Sequence, residues 1–380
     1  MSSPFNTAAV HTLGCKVNFT ETSMISQEMQ KHGVSIVPFD DIADIYVINT
    51  CSVTENANEK CNRIVRSLKR MNPEAYIVVT GCYAQLKFDE LEKNELIDLV
   101  VGTEHKLDIP DIIFDKLNEK SGLFSNISKA EKFRISYSSG DRVRSFIKIQ
   151  DGCDYNCSFC TIPLARGKSR SASIEDVVAR VNKIANEGFN EIVLSGINLG
   201  DFGAGGDYNF LDLINELERS TSIPRVRISS IEPNLLSSDI IDFISESSRF
   251  MPHFHVPLQS GSDRLLKLMK RRYTKSHYSK KIKELKNKIP NVCIGVDVIS
   301  GFPTETESDF SETYDFLKSL DVSYLHVFTY SERDNTVGMH LNPKVPYKTR
   351  LDRSRKLRKL SNKLKSRFIK SNLNKVHSIL

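Results

Sequence analysis

Short apolar blocks and longer segments of mixed polarity alternate through the first third of this 380-residue chain. Four blocks have the length and composition of buried strands: Ala8–Leu13, Asp44–Asn49, Tyr76–Thr80 and Ile97–Val101. Between them, apolar positions recur at helical spacing over Glu21–His32 and Ala57–Arg70, the second ended by Asn72-Pro73. This rhythm predicts a parallel-sheet α/β domain. Residues 119–141 are largely polar and poor in large apolar side chains, which predicts a linker. A second alternation follows, with predicted strands at Ser145–Gln150, Glu191–Ser195, Arg225–Ser229, His253–Leu258, Cys293–Ile299 and Tyr324–Tyr330. Helices are predicted at Ile174–Asn186, where Ser173 and Asp176 suit a capping box, and at Phe210–Ser220, Ser262–Lys270 and Tyr278–Lys288.

Six successive βα units predict a partial (β/α)6 barrel, an incomplete relative of the eight-stranded barrel, with chemistry at the carboxyl ends of its strands. The chain divides on this reading into an α/β domain at 6–118, a linker at 119–141, the barrel at 142–343 and a basic helical tail at 344–380. No apolar run approaches the ~18 residues that span a bilayer. The opening Met1-Ser2-Ser3-Pro4-Phe5-Asn6 lacks the basic and apolar regions of a signal peptide. A cytoplasmic protein with no membrane partner is expected.

The net charge of +6 conceals an asymmetry. Between Lys344 and Lys375 there are 13 Lys and Arg against the single acid Asp352, so the rest of the chain is net acidic. Leu357, Leu360, Leu364 and Phe368 recur at helical spacing in this tail. One face is therefore expected to pack on the body and the other to be available to a polyanion.

Eight cysteines in a chain expected in a reducing compartment point to ligands or buried thiols before disulfides. Cys153-Asp154-Tyr155-Asn156-Cys157-Ser158-Phe159-Cys160 spaces three thiols as C-x3-C-x2-C, directly after the first predicted barrel strand. Three thiolates on one loop suit three irons of a [4Fe–4S] cube and leave one iron open for chemistry. A structural zinc site or a stack of buried thiols is the alternative; a zinc site usually adds a second pair, and no second cysteine pair occurs in the next hundred residues. Cys15, Cys51 and Cys82 each follow a predicted N-terminal strand, so a parallel sheet would bring them to one edge. Gly14 and Gly81 precede two of them and permit tight backbone there. A second three-thiolate cluster is one reading; well-buried cysteines at strand ends are the other. Cys61, in a helix, and Cys293, in a strand, read as packing residues.

With these residues in view, the C-x3-C-x2-C loop with an aromatic, Phe159, before its last cysteine resembles the radical S-adenosylmethionine (SAM) superfamily. Its surroundings, from Phe146-Ile147-Lys148-Ile149-Gln150-Asp151-Gly152 through Ile162-Pro163 to Ala165-Arg166-Gly167, are similar to the methylthiotransferases of that superfamily, as are the three N-terminal cysteines. The opening Thr12-Leu13-Gly14-Cys15-Lys16-Val17-Asn18 resembles the branch acting on N6-threonylcarbamoyladenosine beside the tRNA anticodon. The branch acting on isopentenyladenosine usually has Gln-Met where Lys16-Val17 stand. The resemblance implies two [4Fe–4S] clusters and SAM. The Cys153/Cys157/Cys160 cluster would bind SAM and release a 5′-deoxyadenosyl radical. The Cys15/Cys51/Cys82 cluster would hold the sulfur to be inserted, methylated by a second SAM. Implied partners are the tRNA anticodon stem-loop and an electron donor such as flavodoxin or ferredoxin; the sulfur source is left open. Such proteins usually continue into a small RNA-binding β-barrel, the TRAM domain. Asn374-Lys375-Val376-His377-Ser378-Ile379-Leu380 falls near its first strand, so that domain is expected to be absent and the basic tail to compensate in part.

Further motifs fall at the barrel's strand ends: Ser195-Gly196, Arg227-Ile228-Ser229-Ser230-Ile231-Glu232-Pro233, His255-Val256-Pro257-Leu258-Gln259-Ser260-Gly261, and Asp297 onward to Glu305. Phe159, Ser195, Ser229, Ser230, Gln259 and Asp297 are the candidate SAM contacts, with ordinary turn and cap chemistry as the alternative. Arg166 and Arg170 can pair with a carboxylate or phosphate through their planar forks. Glycines 196, 200, 203, 205 and 206 lack the strand–turn–helix context of a nucleotide loop. Two other functions stay open: a methylthiotransferase for isopentenyladenosine or a ribosomal protein, and a non-catalytic iron–sulfur or zinc protein that binds RNA.

Overall fold

In the computed structural model, which describes residues 5–52, 55–115, 122–140, 143–377 and 379–380, the first apolar blocks form a parallel sheet. In chain order the elements of this region are β1 (Thr7–Thr12), α1 (Lys16–Lys31), β2 (Ser35–Ile36), β3 (Ile45–Thr50), α2 (Glu55–Met71), β4 (Tyr76–Gly81), α3 (Cys82–Leu86), α4 (Phe88–Glu92), β5 (Leu99–Val101) and α5 (Ile109–Asp115). The sheet order is β2-β1-β3-β4-β5, with parallel pairing throughout. All six residues of β3 are buried because both faces of the sheet are covered. Alternate residues divide between two cores. Tyr46, Ile48, Ile77 and Val79 pack with Cys61, Val65 and Leu68 of α2, whereas Ile45, Val47 and Val78 pack with Ile25 and Met29 of α1 and Ile109 and Ile113 of α5. Each such aliphatic side chain contributes roughly 1.5–3 kcal/mol by leaving water. Cys61 belongs to this packing, and burial pushes its thiol up to about 12.

Short elements follow: β6 (Ser136–Tyr137), β7 (Ser145–Lys148), β8 (Gln150–Asp151), α6 (Ile162–Arg166) and β9 (Arg170–Ser171). β6 pairs antiparallel with β7, Ser136 opposite Lys148. Of the segment read as a linker, residues 119–121 and 141 lie outside the described residues. The rest carries β6 and a turn at Ile127–Lys129 whose Ile127 is buried. The residues cluster into two units. One joins Met1–Arg142 with Phe146–Asp154 and Thr161–Arg170; the other joins Val143–Ser145 and Tyr155–Cys160 with Ser171–Leu380.

The second unit repeats strand and helix: α7 (Ile174–Asn186), β10 (Glu191–Ser195), α8 (Phe210–Ser220), β11 (Arg225–Ile228), α9 (Ser238–Glu246), β12 (His253–His255), α10 (Asp263–Leu268), α11 (Lys275–Lys288), β13 (Cys293–Ser300), α12 (Glu307–Ser319), β14 (Tyr324–Thr329) and α13 (Tyr347–Ser371). β10 pairs parallel with β11, and β12, β13 and β14 pair parallel in that order. Single bridges, Val226 to Phe250 and Ser230 to His255, join the two sets. β12 is half the predicted length, although the Val256 and Leu258 amides still donate to the Gly295 and Asp297 carbonyls of β13. At α7 only half of the predicted capping box forms: Ser173 accepts from the Asp176 amide. Complete boxes occur instead at α8, from Asn209 and Asp212, and at α12, from Thr306 and Asp309.

The basic tail is α13. Leu357, Leu360 and Leu364 are buried against the unit, and so are two of its cations. Arg350 pairs with Glu332 and donates to the Val345 and Tyr330 carbonyls, and Arg353 lies 2.7 Å from Glu305. The remaining tail cations point outward, Lys348, Lys359, Lys363 and Lys370 among them. No described helix is long and apolar enough to cross a membrane.

Candidate active site

Cys15, Cys51 and Cys82 leave neighbouring strands at one edge of the first sheet. Register pairs Thr12 with Asn49 and Thr50 with Gly81, so the three cysteines follow β1, β3 and β4 at matching ends. Gly14 adopts φ +126°, and a Cβ there would lie 2.8 Å from Cys51 Cβ and 3.2 Å from its Sγ. The residue beside Cys15 thus touches Cys51. Gly81 adopts φ +98°, and a Cβ would meet the Thr50 carbonyl oxygen at 2.4 Å. Cys82 begins α3 and is buried; Cys51 is half-buried and Cys15 exposed. Although Cys15 keeps solvent contact, the dense protein around its thiol desolvates it and pushes its pKa up, with Arg166 the foremost charge pulling it back. Cys82 is near enough to act on Cys15 electrostatically. None of the eight cysteines forms a disulfide. Three thiols that follow neighbouring strand ends, Cys51 against Gly14 and Cys82 close enough to act on Cys15, fit a three-thiolate iron–sulfur site.

Behind these thiols lies an ion network that periodicity did not disclose. Glu21, on the buried face of α1, is 2.8 Å from Lys106, 3.2 Å from Lys148 and 3.1 Å from Arg166. Asp151 is 2.8 Å from Arg166 and 3.3 Å from Lys148. Burial would raise the Glu21 carboxyl, but Arg166, Lys106 and Lys148 hold it well below the usual carboxylate range. Arg166 therefore meets carboxylates, as its fork suggested. Arg170 donates instead to backbone carbonyls, those of Arg166 and Lys168 at 2.9 Å.

In the cysteine-rich loop, the Cys153 amide donates to Gly167 O at 3.1 Å and the Cys160 amide to Cys157 O at 3.1 Å. Arg271 Nη1 lies 3.1 Å from Cys157 Sγ. The same guanidinium donates to Glu232 and, at 3.0 Å, to Tyr273 Oη. Burial raises the Cys157 thiol pKa, and Arg271 opposes that rise. Arg271 was not among the predicted site residues; it sits in a basic run, Lys270-Arg271-Arg272, that reads as surface. Phe159 packs with Leu265, Met269, Ile299, Phe302 and Tyr330.

The remaining candidates line the strand ends of the second unit. Ser195 closes β10 and donates to Val193 O at 3.1 Å, while the Ser229 amide reaches Leu194 O. Ser230 bridges to His255, and Gln259, at φ +68°, donates its amide to Asp297 O at 2.8 Å. Asp297 accepts from His255 Nε2 at 2.7 Å and His326 Nδ1 at 3.2 Å. Burial would raise its carboxyl, yet these imidazoles hold it below the usual range. The structure thus gathers Ser230, His255, Gln259 and Asp297, and adds His326 from β14, which the sequence reading passed over. Such a group offers donors and acceptors for a polar ligand.

Residues 7–102 match a family described as Uncharacterized protein family UPF0004, and residues 147–317 match the Radical SAM superfamily. The threonylcarbamoyladenosine tRNA methylthiotransferase MtaB of Aquifex aeolicus is 40% identical over 97% of this chain and 90% of its own. That of Bacillus subtilis is 38% identical over 98% of this chain and 84% of its own. Among solved structures, the radical SAM methyltransferase TsrM of Kitasatospora setae, with cobalamin and a [4Fe–4S] cluster bound, shares the fold at TM-score 0.62. It is 12% identical, over 88% of this chain and 77% of that one. Paired with the C-x3-C-x2-C loop, these matches define a radical SAM enzyme, and the chain belongs to the radical SAM methylthiotransferase family. It is a sulfur-inserting enzyme that uses SAM and an iron–sulfur cluster.

Proposed function

We propose that this chain converts N6-threonylcarbamoyladenosine to its 2-methylthio derivative at position 37 of tRNA, in the cytoplasm, using two [4Fe–4S] clusters. The observation that carries the substrate is the 33–40% identity, over nearly the whole chain, to four relatives named for that reaction. The observation that supports two clusters is the second set of three cysteines, on neighbouring strand ends.

Cys153, Cys157 and Cys160 would hold the cluster that supplies reductive cleavage of SAM to a 5′-deoxyadenosyl radical when bound. Arg271 would orient Cys157 and offset thiolate charge, being fixed by Glu232 and Tyr273. Ser195, Ser229, Ser230, Gln259 and Asp297, with Phe159 behind the loop, would bind and orient SAM, and His255 and His326 would hold the Asp297 carboxylate ionised. Cys15, Cys51 and Cys82 would present the sulfur. Residues 6–118 would be the sulfur-presenting domain, 142–343 the barrel and 344–380 the tail. The anticodon stem-loop would meet outward lysines of α13: Lys348, Lys359, Lys363 and Lys370 fall within one helical stripe about 33 Å long. An electron donor such as flavodoxin or ferredoxin would complete the cycle.

The test is mass spectrometry of digested tRNA from a bacterial host lacking its own enzyme and expressing this chain or its Cys157→Ala variant. The 2-methylthio nucleoside of threonylcarbamoyladenosine should appear only with the parent. Its absence, or a methylthio group on isopentenyladenosine instead, would overturn the substrate assignment.

A further inference from the structure

The charges of the buried network in the first unit do not balance by themselves. Lys106, Lys148 and Arg166 face only Glu21 and Asp151 within it, and all five side chains are buried. One positive charge is left in excess, and an uncompensated buried cation is costly. The neighbouring groups able to supply the missing negative charge are the cysteines: Arg166 interacts electrostatically with Cys82 and Cys15, and Lys106 with Cys82. Asn18 provides the geometric link. Its Oδ1 accepts from Arg166 Nη2 and lies 3.7 Å from Cys15 Sγ. Its Nδ2 donates to the carbonyls of Leu13 and Thr50, pinning the turns that carry Cys15 and Cys51. Arg166 Nε, also buried, has no hydrogen-bond partner among the described residues. A buried N–H donor without an acceptor is destabilising, and a sulfur acceptor would offset that.

We infer that Arg166 is a positioning residue for the Cys15/Cys51/Cys82 site, the fixed counter-ion that makes a cluster held there easier to reduce than its thiolates alone would allow. This rests on the reading that those thiols hold a cluster. A three-thiolate cluster is anionic and more so when reduced, and cluster potentials follow net charge and hydrogen bonds to sulfur. A guanidinium that cannot lose its proton stabilises the reduced form at every accessible pH. Asn18 transmits position as well as charge, so the thiols and the cation move together.

The experiment uses the full chain with Cys153, Cys157 and Cys160 replaced by Ala, so that only the N-terminal site can load. Iron content is measured first, then the midpoint potential by EPR-monitored titration. Arg166→Gln should lower the reduced-to-oxidised ratio at fixed potential about tenfold, about 59 mV for one electron. Arg166→Lys should keep most of the parent potential. Should Arg166→Gln fail to fold, Asn18→Asp, which sets a negative charge between Arg166 and Cys15, should lower the potential likewise. A loaded cluster whose potential ignores both the Gln and Asp variants overturns the inference, as does a Lys variant that falls as far as the Gln variant. If the parent background binds no iron at all, it is the underlying two-cluster reading that fails.

Discussion

Gly14→Ala isolates the geometry of the N-terminal thiols in one methyl group. At φ +126° an alanine pays roughly 1–3 kcal/mol for backbone strain. Its Cβ would also sit 2.8 Å from Cys51 Cβ, where carbon contacts normally fall at about 3.5–4.0 Å. Relief requires Cys51 to retreat by about 1 Å, and overpacking of this kind costs a further 1–3 kcal/mol, roughly. Metal–ligand distances tolerate only about ±0.2 Å, so Cys51 would leave bonding range. The assay is iron and sulfide per chain after anaerobic reconstitution, with the three barrel-loop cysteines replaced by Ala. Gly33→Ala is the control: its φ is also positive (+83°), and nothing lies within 4 Å of the added carbon. Gly33→Ala should load iron as the parent does, and Gly14→Ala should lose most of it. Normal loading by Gly14→Ala would refute the argument that these turns have no slack, and with it the proposal that Cys15 and Cys51 hold one cluster.

Three more expectations follow from the same structure. Cys157→Ala should abolish 5′-deoxyadenosine formation, whereas Cys51→Ala should retain it and lose methylthio product, both read by chromatography of one reaction mixture. Replacing Lys348, Lys359, Lys363 and Lys370 with Gln should weaken tRNA binding and flatten its log–log salt dependence by up to about 0.7–0.9 for each phosphate that is no longer neutralised; an unchanged slope would place the RNA elsewhere. Glu21 is held below the ordinary carboxylate range, so on acidification the unfolded chain takes up its proton first. The stability this residue contributes is complete above pH 4.5 and lost as pH falls towards the folded-state value. Urea midpoints of the cluster-free chain should fall below pH 4.5, and Glu21→Gln should remove part of that fall while lowering stability at pH 7.

The sheet was legible where strands are covered on both faces. β3 and β4 bury nearly every side chain, so they read as continuous apolar runs, and their order in sequence placed three cysteines at one edge. β2, two residues on the sheet's margin, and the true extent of α1 were not legible. α1 starts at Lys16, five residues before the predicted Glu21, because its buried face carries Asn18, Thr20, Glu21, Thr22 and Ser23 where an amphipathic helix would carry apolar residues. Hydrophobic periodicity registers what a helix hides from water only when the hidden groups are apolar.

That failure falls beside the edge where Cys15, Cys51 and Cys82 lie. Burying Glu21 is tolerable only because Lys106, Lys148 and Arg166 arrive from segments far apart in sequence, so no local window contains the reason for the charge. The cysteines stood out by residue type and spacing; the charged groups around them did not, because a counter-ion needs only the right charge at the right depth. The same holds for Arg271 beside Cys157 and for His326 beside Asp297. In each case a residue with one chemical signature sits against a cation or imidazole from a separate segment. Polar residues buried on a helix face next to sequence-identified thiols are therefore the signal by which such supports can be sought before a structure exists, and α1 carries it from Asn18 to Ser23.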